Sequence, residues 1–329
     1  MLNEDSFSKM ILFGIILLLL CYRSYAAFTS STRHRSVSSL KATKPQLGLL
    51  TFDLDDTLFP CQQVVDDADV VLLATMRDIG ATGAQKNMIY QAMRAERRKR
   101  AKPITYSNLR MRAIRRVLAS DPGVEVNTDA VDKCFDAWLD ERQESANRHL
   151  FPGTVEMLQA IKDKYPGVCI GAVTNGRGNP LMMKKIAHFF DFCVSGEDDN
   201  VFPERKPSPG IYLAALAEHE KRSSTKISGT NIWIHAGDDL AKDVGASARR
   251  GAVPIWVQIN EQLSDKPPAY STATKAEAKK YKALAQRARS SIDEKVECLY
   301  DLPLAVENAL LEAAKRFEFD KQYSTERRR

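Results

Sequence analysis

The 329-residue chain has six cysteines, no CxxC pair, and no apolar run long enough to cross a membrane. Its most apolar stretch, residues 10–22, is thirteen residues long, whereas a spanning helix needs ~20. The five cysteines beyond that stretch, Cys61, Cys134, Cys169, Cys193 and Cys298, are odd in number and widely spaced. Such spacing argues against zinc and against a disulfide framework, and reads as reduced core residues. Glycine and proline, at 16 and 14, are too few for a collagenous or low-complexity chain. With 44% apolar and 27% charged residues the composition is that of a folding globular chain of one large or two modest domains. An excess of one charge is also missing from the body. Residues 1–44 carry six Lys/Arg against two acids, leaving 42 basic against 40 acidic residues elsewhere, so global charge names no partner. There is no internal repeat.

The first 45 residues read as an address. Lys9 precedes the apolar run, and Ser24 and Ala26 supply small residues at the positions a signal peptidase reads. The following FTSSTRHRSVSSLKATK is rich in Ser, Thr and basic residues and contains no acid. Residues 1–26 are therefore expected to be a signal peptide and 27–45 a transit-peptide-like segment, a pairing that resembles a two-part plastid (chloroplast) address. The alternative is the secretory pathway, with a Ser-rich linker or a short signal anchor. No stable membrane span is expected after processing.

From about residue 46, short apolar runs alternate with helical stretches. LGLLTF (47–52), VCIGAVT (168–174), FDFCVS (190–195), NIWIHAG (231–237) and VPIWVQ (253–258) lack polar alternation and read as buried strands. Helices are expected in VEMLQAIKDKY, capped by Thr154; in PLMMKKIAHFF; in PGIYLAALAEHE, opened by Ser208 with Pro209 in its first turn; and in LAKDVGASARR. This βαβα rhythm predicts an α/β fold with a doubly wound, mostly parallel, Rossmann-like sheet. Residues 61–150 break it: they read as four helices near 64–79, 85–100, 106–120 and 128–146, an inserted all-helical domain between core segments 46–60 and 151–315. Residues 261–295, Pro-rich and then Lys/Ala-rich, read as a charged insertion, either exposed helix or mobile. It precedes a last strand near 296–300, the helix LPLAVENALLEAA, and a solvated polar tail at 316–329.

The first strand ends in Asp53-Leu54-Asp55-Asp56-Thr57. Strand periodicity places Asp53, Asp55 and Thr57 on one side and Leu54 on the other. Carboxylates at the carboxyl end of a parallel strand enter the crevice where such sheets bind ligands. Two this close repel, so one is neutralised by a cation or holds a proton, the arrangement wanted for a nucleophile beside a general acid/base. Alone, the pattern is a solvated turn. Three further polar clusters follow: Thr174-Asn175-Gly176 after the second strand, Lys206-Pro207 before a helix, and Gly237-Asp238-Asp239 with Asp243 after the fourth strand.

That order resembles the haloacid dehalogenase superfamily over nearly all of residues 46–258, and the position of the helical block resembles its helical-cap subgroup, with Phe151-Pro152-Gly153-Thr154 as the return to the core. TNGRG and HAGDDLAKDVGASARRG are similar to a bacterial flavin-pathway branch, whose members remove phosphate from flavin mononucleotide and from a ribitylaminouracil phosphate. The resemblance implies a phosphomonoesterase in which Asp53 attacks phosphorus to form an aspartyl-phosphate. Asp55 would protonate the leaving oxygen and then deprotonate water. Mg2+ would be held by Asp53, Asp238 and the main-chain oxygen of Asp55. It further implies that Thr174 and Lys206 bind phosphate oxygens, with Asn175 contributing main chain rather than amide. Asp243 orients Lys206 or a metal-bound water, Asp239 competes with Asp238 for the ion, and Thr57 supports the cluster. Dehalogenation ends in an ester that needs no protonated leaving oxygen, and members performing it lack the second Asp; Asp55 therefore discards that activity, while phosphomutases, which keep both, stay possible.

The partner implied is a small phosphorylated metabolite. Residues 94–116 carry ten Lys/Arg and one Glu, read first as the solvated outer face of two helices and second as a docking face for an acidic or nucleic-acid partner of a catalytically minor, regulatory protein. No aromatic residue interleaves before Tyr106, which disfavours nucleic acid. Phe135 and Trp138, at helical spacing, read as core.

Overall fold

The computed structural model describes residues 46–223, 226–259 and 271–326. The expected signal peptide and transit-like segment, and residues 261–270 of the charged insertion, lie outside these. Among the described residues no helix is long and apolar enough to cross a membrane.

Six parallel strands form one sheet: β1 (Gln46–Phe52), β2 (Cys169–Thr174), β3 (Phe192–Ser195), β4 (Asn231–Gly237), β5 (Val253–Val257) and β6 (Glu294–Val296), in spatial order β3-β2-β1-β4-β5-β6. The order reverses at β1, which pairs with β2 on one side and β4 on the other, so the carboxyl ends of β1 and β4 border a crevice. The unbroken apolar runs are explained by burial on both faces: every residue of β2 is buried. Period-two alternation divides them. Leu50, Phe52, Ile232 and Ile234 join a core closed by α5 (Thr154–Lys164) and the last helix, whereas Leu49, Val173 and Trp233 join a second core with Ile211 and Tyr212 of α6 (Gly210–Arg222). Gly171 of β2 is fixed by this packing, because a Cβ there would lie 2.2 Å from the Phe192 ring.

Between β1 and β2 stand α1 (Cys61–Asp78), α2 (Lys86–Arg98), α3 (Tyr106–Leu118) and α4 (Thr128–Arg148), which bury their own apolar cluster, including Leu72, Met76, Ile89, Ile114 and Trp138. The chain leaves and re-enters the sheet side by side: Phe151 N donates to Leu58 O at 2.8 Å. Inside this block sits a charged knot. Asp69 Oδ1 accepts from Arg110 Nη1 at 2.9 Å and from Trp138 Nε1 at 3.0 Å, Tyr90 donates to the other oxygen, and the guanidinium lies 3.9 Å from the Trp138 ring centroid.

Several expected elements differ. PLMMKKIAHFF is no α-helix but two 3₁₀ turns, Pro180–Met182 and Ala187–Phe189, separated by the extended backbone of Met183; Met183, Ile186 and Phe189 are buried. LAKDVGASARR is a π-turn, Leu240–Val244, followed by α7 (Gly245–Ala248). Thr154 does not cap α5: Gly153, at φ 84°, is the N-cap, and Thr154 Oγ1 donates to Phe151 O at 2.7 Å. Ser208 does not cap α6, which opens after Pro209 without a side-chain cap. The charged insertion contains α8 (Lys275–Ala288), the last strand ends at Val296, and α9 (Leu302–Glu326) runs through most of the expected tail, with Phe317 and Phe319 exposed. No disulfide joins the five cysteines, three of which are buried.

Asp69→Leu leaves Arg110, 4% exposed, without its counter-charge. The expected loss of unfolding free energy is about 3–5 kcal/mol, read from urea denaturation.

Candidate active site

The turn after β1 sorts its carboxylates. Asp53 N continues the ladder by donating to Ala236 O at 2.9 Å, so Asp53 stands beside the end of β4 and is buried. Asp56 takes the left-handed conformation, φ 61°, which Asp tolerates better than most side chains, and its Oδ1 accepts from Cys61 N at 3.0 Å at the start of α1. Past this reversal Thr57 returns to the sheet: its Oγ1 lies 3.3 Å from Asp53 Oδ2, 3.5 Å from Asp238 Oδ1, and accepts from Asp238 N at 3.1 Å. Asp55 instead meets the helical block, where Arg142 Nη2 of α4 donates to its Oδ1 at 2.6 Å.

Lys206, 2% exposed, donates to Asp53 Oδ1 and, at 2.7 Å, to Asp243 Oδ1. Its backbone is clamped by Asn175, whose Nδ2 donates to Lys206 O at 3.0 Å and whose Oδ1 accepts from Lys206 N at 2.8 Å. The amide of Asn175 is thereby occupied; Thr174, buried at the end of β2, accepts from Gly176 N at 3.3 Å. Asp243 is returned to the cluster by the π-turn and seated where Gly237 has no side chain, since a Cβ on Gly237 would lie 2.5 Å from Asp243 Cγ. Beneath it runs a buried chain: Trp233 Nε1 donates to Thr51 Oγ1, which lies 2.8 Å from His235 Nδ1, and His235 Nε2 lies 3.4 Å from Asp243 Oδ1. Burial holds His235 below its ordinary pKa, so a neutral ring taking the Thr51 proton donates from Nε2.

Carboxylate oxygens of Asp53, Asp238 and Asp243 lie within 4.8 Å of one another. Asp239 is not among them: its Oδ1 caps Ala241 N and Lys242 N, both at 2.8 Å, and its Oδ2 accepts from Lys242 Nζ at 2.6 Å, so the side chain is fully engaged away from the cluster. One ammonium serves two carboxylates unequally. Burial disfavours charge on all three groups, but Lys206 and His235 together outweigh it at Asp243, which is held well below the ordinary carboxylate range. Burial dominates at Asp53, and Asp243 and Asp55 add to it, pushing the carboxyl up to about 7. Asp238 is raised well above its usual range by burial and then by Asp53 and Asp243. Against burial, Asp243 and Asp53 keep Lys206 charged. The adjacent raised carboxyls of Asp53 and Asp238 are the setting that a cation, competing with protons for their oxygens, relieves.

Above the cluster lies a cavity of about 600 Å³. Its floor is acidic; Arg97, Arg110, Arg142 and Arg205 contribute to its walls, together with Tyr106, Phe135 and Trp138. Phe135 and Trp138 are thus core and wall at once, stacked 6.1 Å apart. The basic stretch 94–116 divides: Arg110 is buried, Arg97 turns to the cavity, and Arg98, Lys99, Lys102, Arg112, Arg115 and Arg116 are exposed. Arg142 and His235 were not singled out by sequence. A signal for Arg142 exists, because it falls on the buried stripe Val131, Phe135, Trp138, Arg142, Ser145 of α4, where a charge calls for an explanation.

An open parallel sheet with its polar cluster at the switch point, under an inserted helical block, defines a doubly wound α/β enzyme. The chain belongs to the haloacid dehalogenase-like hydrolase family, whose sequence model matches residues 47–251. It is similar to the 5-amino-6-(5-phospho-D-ribitylamino)uracil phosphatase YigB of Escherichia coli (strain K12), 26% identical over 217 residues that cover 65% of this chain and 84% of that protein. The fold is also that of a 2-haloacid dehalogenase from Pseudomonas syringae pv. Tomato DC3000, with a TM-score of 0.58 and 21% identity over 80% of this chain and 99% of that one.

Asp53 binds a proton in the cation-free fold that the unfolded chain, with an ordinary value of 3.8, releases. Its stabilising contribution is fully present below that value and lost as pH rises through about 7. With chelator present, the melting temperature is expected to fall between about pH 4 and about pH 7, and Asp53→Asn to flatten that fall. Circular dichroism melts across this range check it.

Proposed function

We propose that the protein is a Mg2+-dependent phosphomonoesterase acting through an aspartyl-phosphate on a small phosphorylated metabolite, with a riboflavin-pathway phosphate as first candidate. The observation carrying this reading is the buried Asp53–Lys206–Asp243 triad beside Asp238 at the switch point. Family membership supports hydrolase chemistry, and the E. coli relative is named as a phosphatase of a ribitylaminouracil phosphate. The dehalogenase likeness concerns fold; Asp55, with its Arg142 partner, favours phosphate ester as substrate.

In this reading an Asp53 carboxylate oxygen attacks phosphorus as the ester P–O bond breaks, and Asp55 gives its proton to the leaving alcohol. Arg142 Nη2 donates to Asp55 Oδ1 and so fixes the position of this side chain against the helical block. Asp55 then takes a proton from water, whose oxygen displaces Asp53 and releases inorganic phosphate. Lys206, fixed by Asn175 and Asp243, binds phosphate oxygens with Thr174 and the main chain around Gly176. The carboxylate oxygens of Asp53, Asp238 and Asp243 suit a hard divalent ion, which Asp53 and Asp238 would hold, with the main-chain oxygen of Asp55 as the further ligand this reading adds. Bound there, Mg2+ neutralises the charge between nucleophile and phosphate dianion. The hydrogen bonds of Asp239 favour Asp238 as the ligand, and those of Asp243 favour its role in orienting Lys206.

Turnover of phosphorylated metabolites is expected to need Mg2+, to stop with EDTA, and to drop more than about a thousandfold in Asp53→Asn. Phosphate-release kinetics check this; turnover retained by Asp53→Asn overturns the covalent route. The acid-free composition of residues 27–45 supports a plastid location. A fluorescent fusion of residues 1–45 is expected in the plastid, and its appearance in the secretory pathway or cytosol excludes that.

A further inference from the structure

The family match ends at residue 251, yet residues well beyond it wall the cavity. Helix α8 opens on a capping box: Thr274 Oγ1 accepts from Glu277 N at 3.2 Å, and Glu277 Oε2 accepts from Thr274 N at 2.8 Å. The other oxygen, Oε1, accepts from Arg97 Nη2 of α2 at 2.9 Å. One carboxylate therefore both starts α8 and ties it to the helical block. The far end of α8 is seated on the turn after β4, where Ala288 packs so close to Gly245 that a Cβ on the glycine would lie 2.7 Å away.

Four residues after Glu277, on the same helical face, Tyr281 lines the cavity. Its ring centroid lies 5.9 Å from Lys242 Nζ, which Asp239 pins in place, and burial raises its phenol pKa. The helical block supplies Tyr106, Phe135 and Trp138 to the same cavity. The phosphate-side residues Asp53, Asp238 and Lys206 form the floor, so an ester seated on them extends its alcohol portion into the space these aromatic rings border.

We propose that Glu277 and Tyr281 are specificity-determining residues: Tyr281 contacts the alcohol portion of the substrate, and Glu277, through Arg97, sets the width of the space between α8 and the helical block. The helix after the family-matched region thus selects planar alcohols over small flexible ones. The inference rests on the phosphatase reading, and the following comparison separates the two.

The probes are 1-naphthyl phosphate, planar and bulky, and glycerol 3-phosphate, small and flexible. In the full chain with Mg2+, Tyr281→Ala is expected to lower the naphthyl-to-glycerol ratio of kcat/KM about tenfold, mainly through the naphthyl KM, while Tyr281→Trp preserves or raises it. Glu277→Gln, which keeps a capping side chain but not the ion pair, is expected to shift the ratio in the direction of Tyr281→Ala by a smaller factor. A structural role alone would change both esters together, so an unchanged ratio in Tyr281→Ala and Tyr281→Trp, with wild-type turnover intact, overturns the inference and leaves the phosphatase reading standing. No turnover of either ester by the wild-type chain overturns that reading and the inference with it.

Discussion

One ammonium between two buried carboxylates is the constraint around which the site is built. Lys206, Asp53 and Asp243 are each almost fully withdrawn from water, and any one alone would be costly to bury. The contacts of Lys206 with both carboxylates make the burial tolerable only when all three side chains are in hydrogen-bonding position together. That requirement explains features otherwise unrelated: the Asn175 clamp on the lysine backbone, the side-chain-free Gly237, the widened π-turn that brings Asp243 round, and the neutral histidine beneath it. The unequal sharing of the ammonium leaves Asp53 and Asp238 as raised, mutually repelling acids, the chemical opening for a hard cation.

The helical block reaches the chemistry through arginines. Arg142 grasps Asp55, and Arg97 meets Glu277 of α8. Arg110, knotted to Asp69 and stacked on Trp138, stiffens the block from within while standing in the cavity wall. The acidic floor belongs to the sheet and much of the cationic wall to the insertion, so the two halves of the cavity are electrostatically complementary.

Much of this was legible in the sequence because buried parallel strands and polar clusters at their carboxyl ends leave local marks. Each expected strand is found within a few residues; of the expected site residues Asp53, Thr57, Lys206, Asp238 and Asp243 lie together, whereas the Asp55 side chain turns to Arg142 and Thr174 accepts from Gly176 N. The competition between Asp238 and Asp239 was not legible, because it turns on which side chain caps the next turn. The helix expected over 180–190 is broken at Met183, whose backbone is extended, and no local pattern in the sequence marks that break. Arg142 and Glu277 escaped notice since their partners lie far away in the chain, and no local period announces an ion pair of that kind.

The place of β1 at the centre of the sheet has a consequence for how the chain is made. Leu49 pairs with Cys169 on one edge and with Trp233 on the other, so the earliest described strand waits for both neighbours until most of the polypeptide has emerged. The helices of residues 61–148 bury an apolar cluster of their own, so that block can collapse before β4 has emerged to complete the pairing of β1. Assembly of the polar cluster at the carboxyl end of the sheet thereby waits for β4 and Asp243.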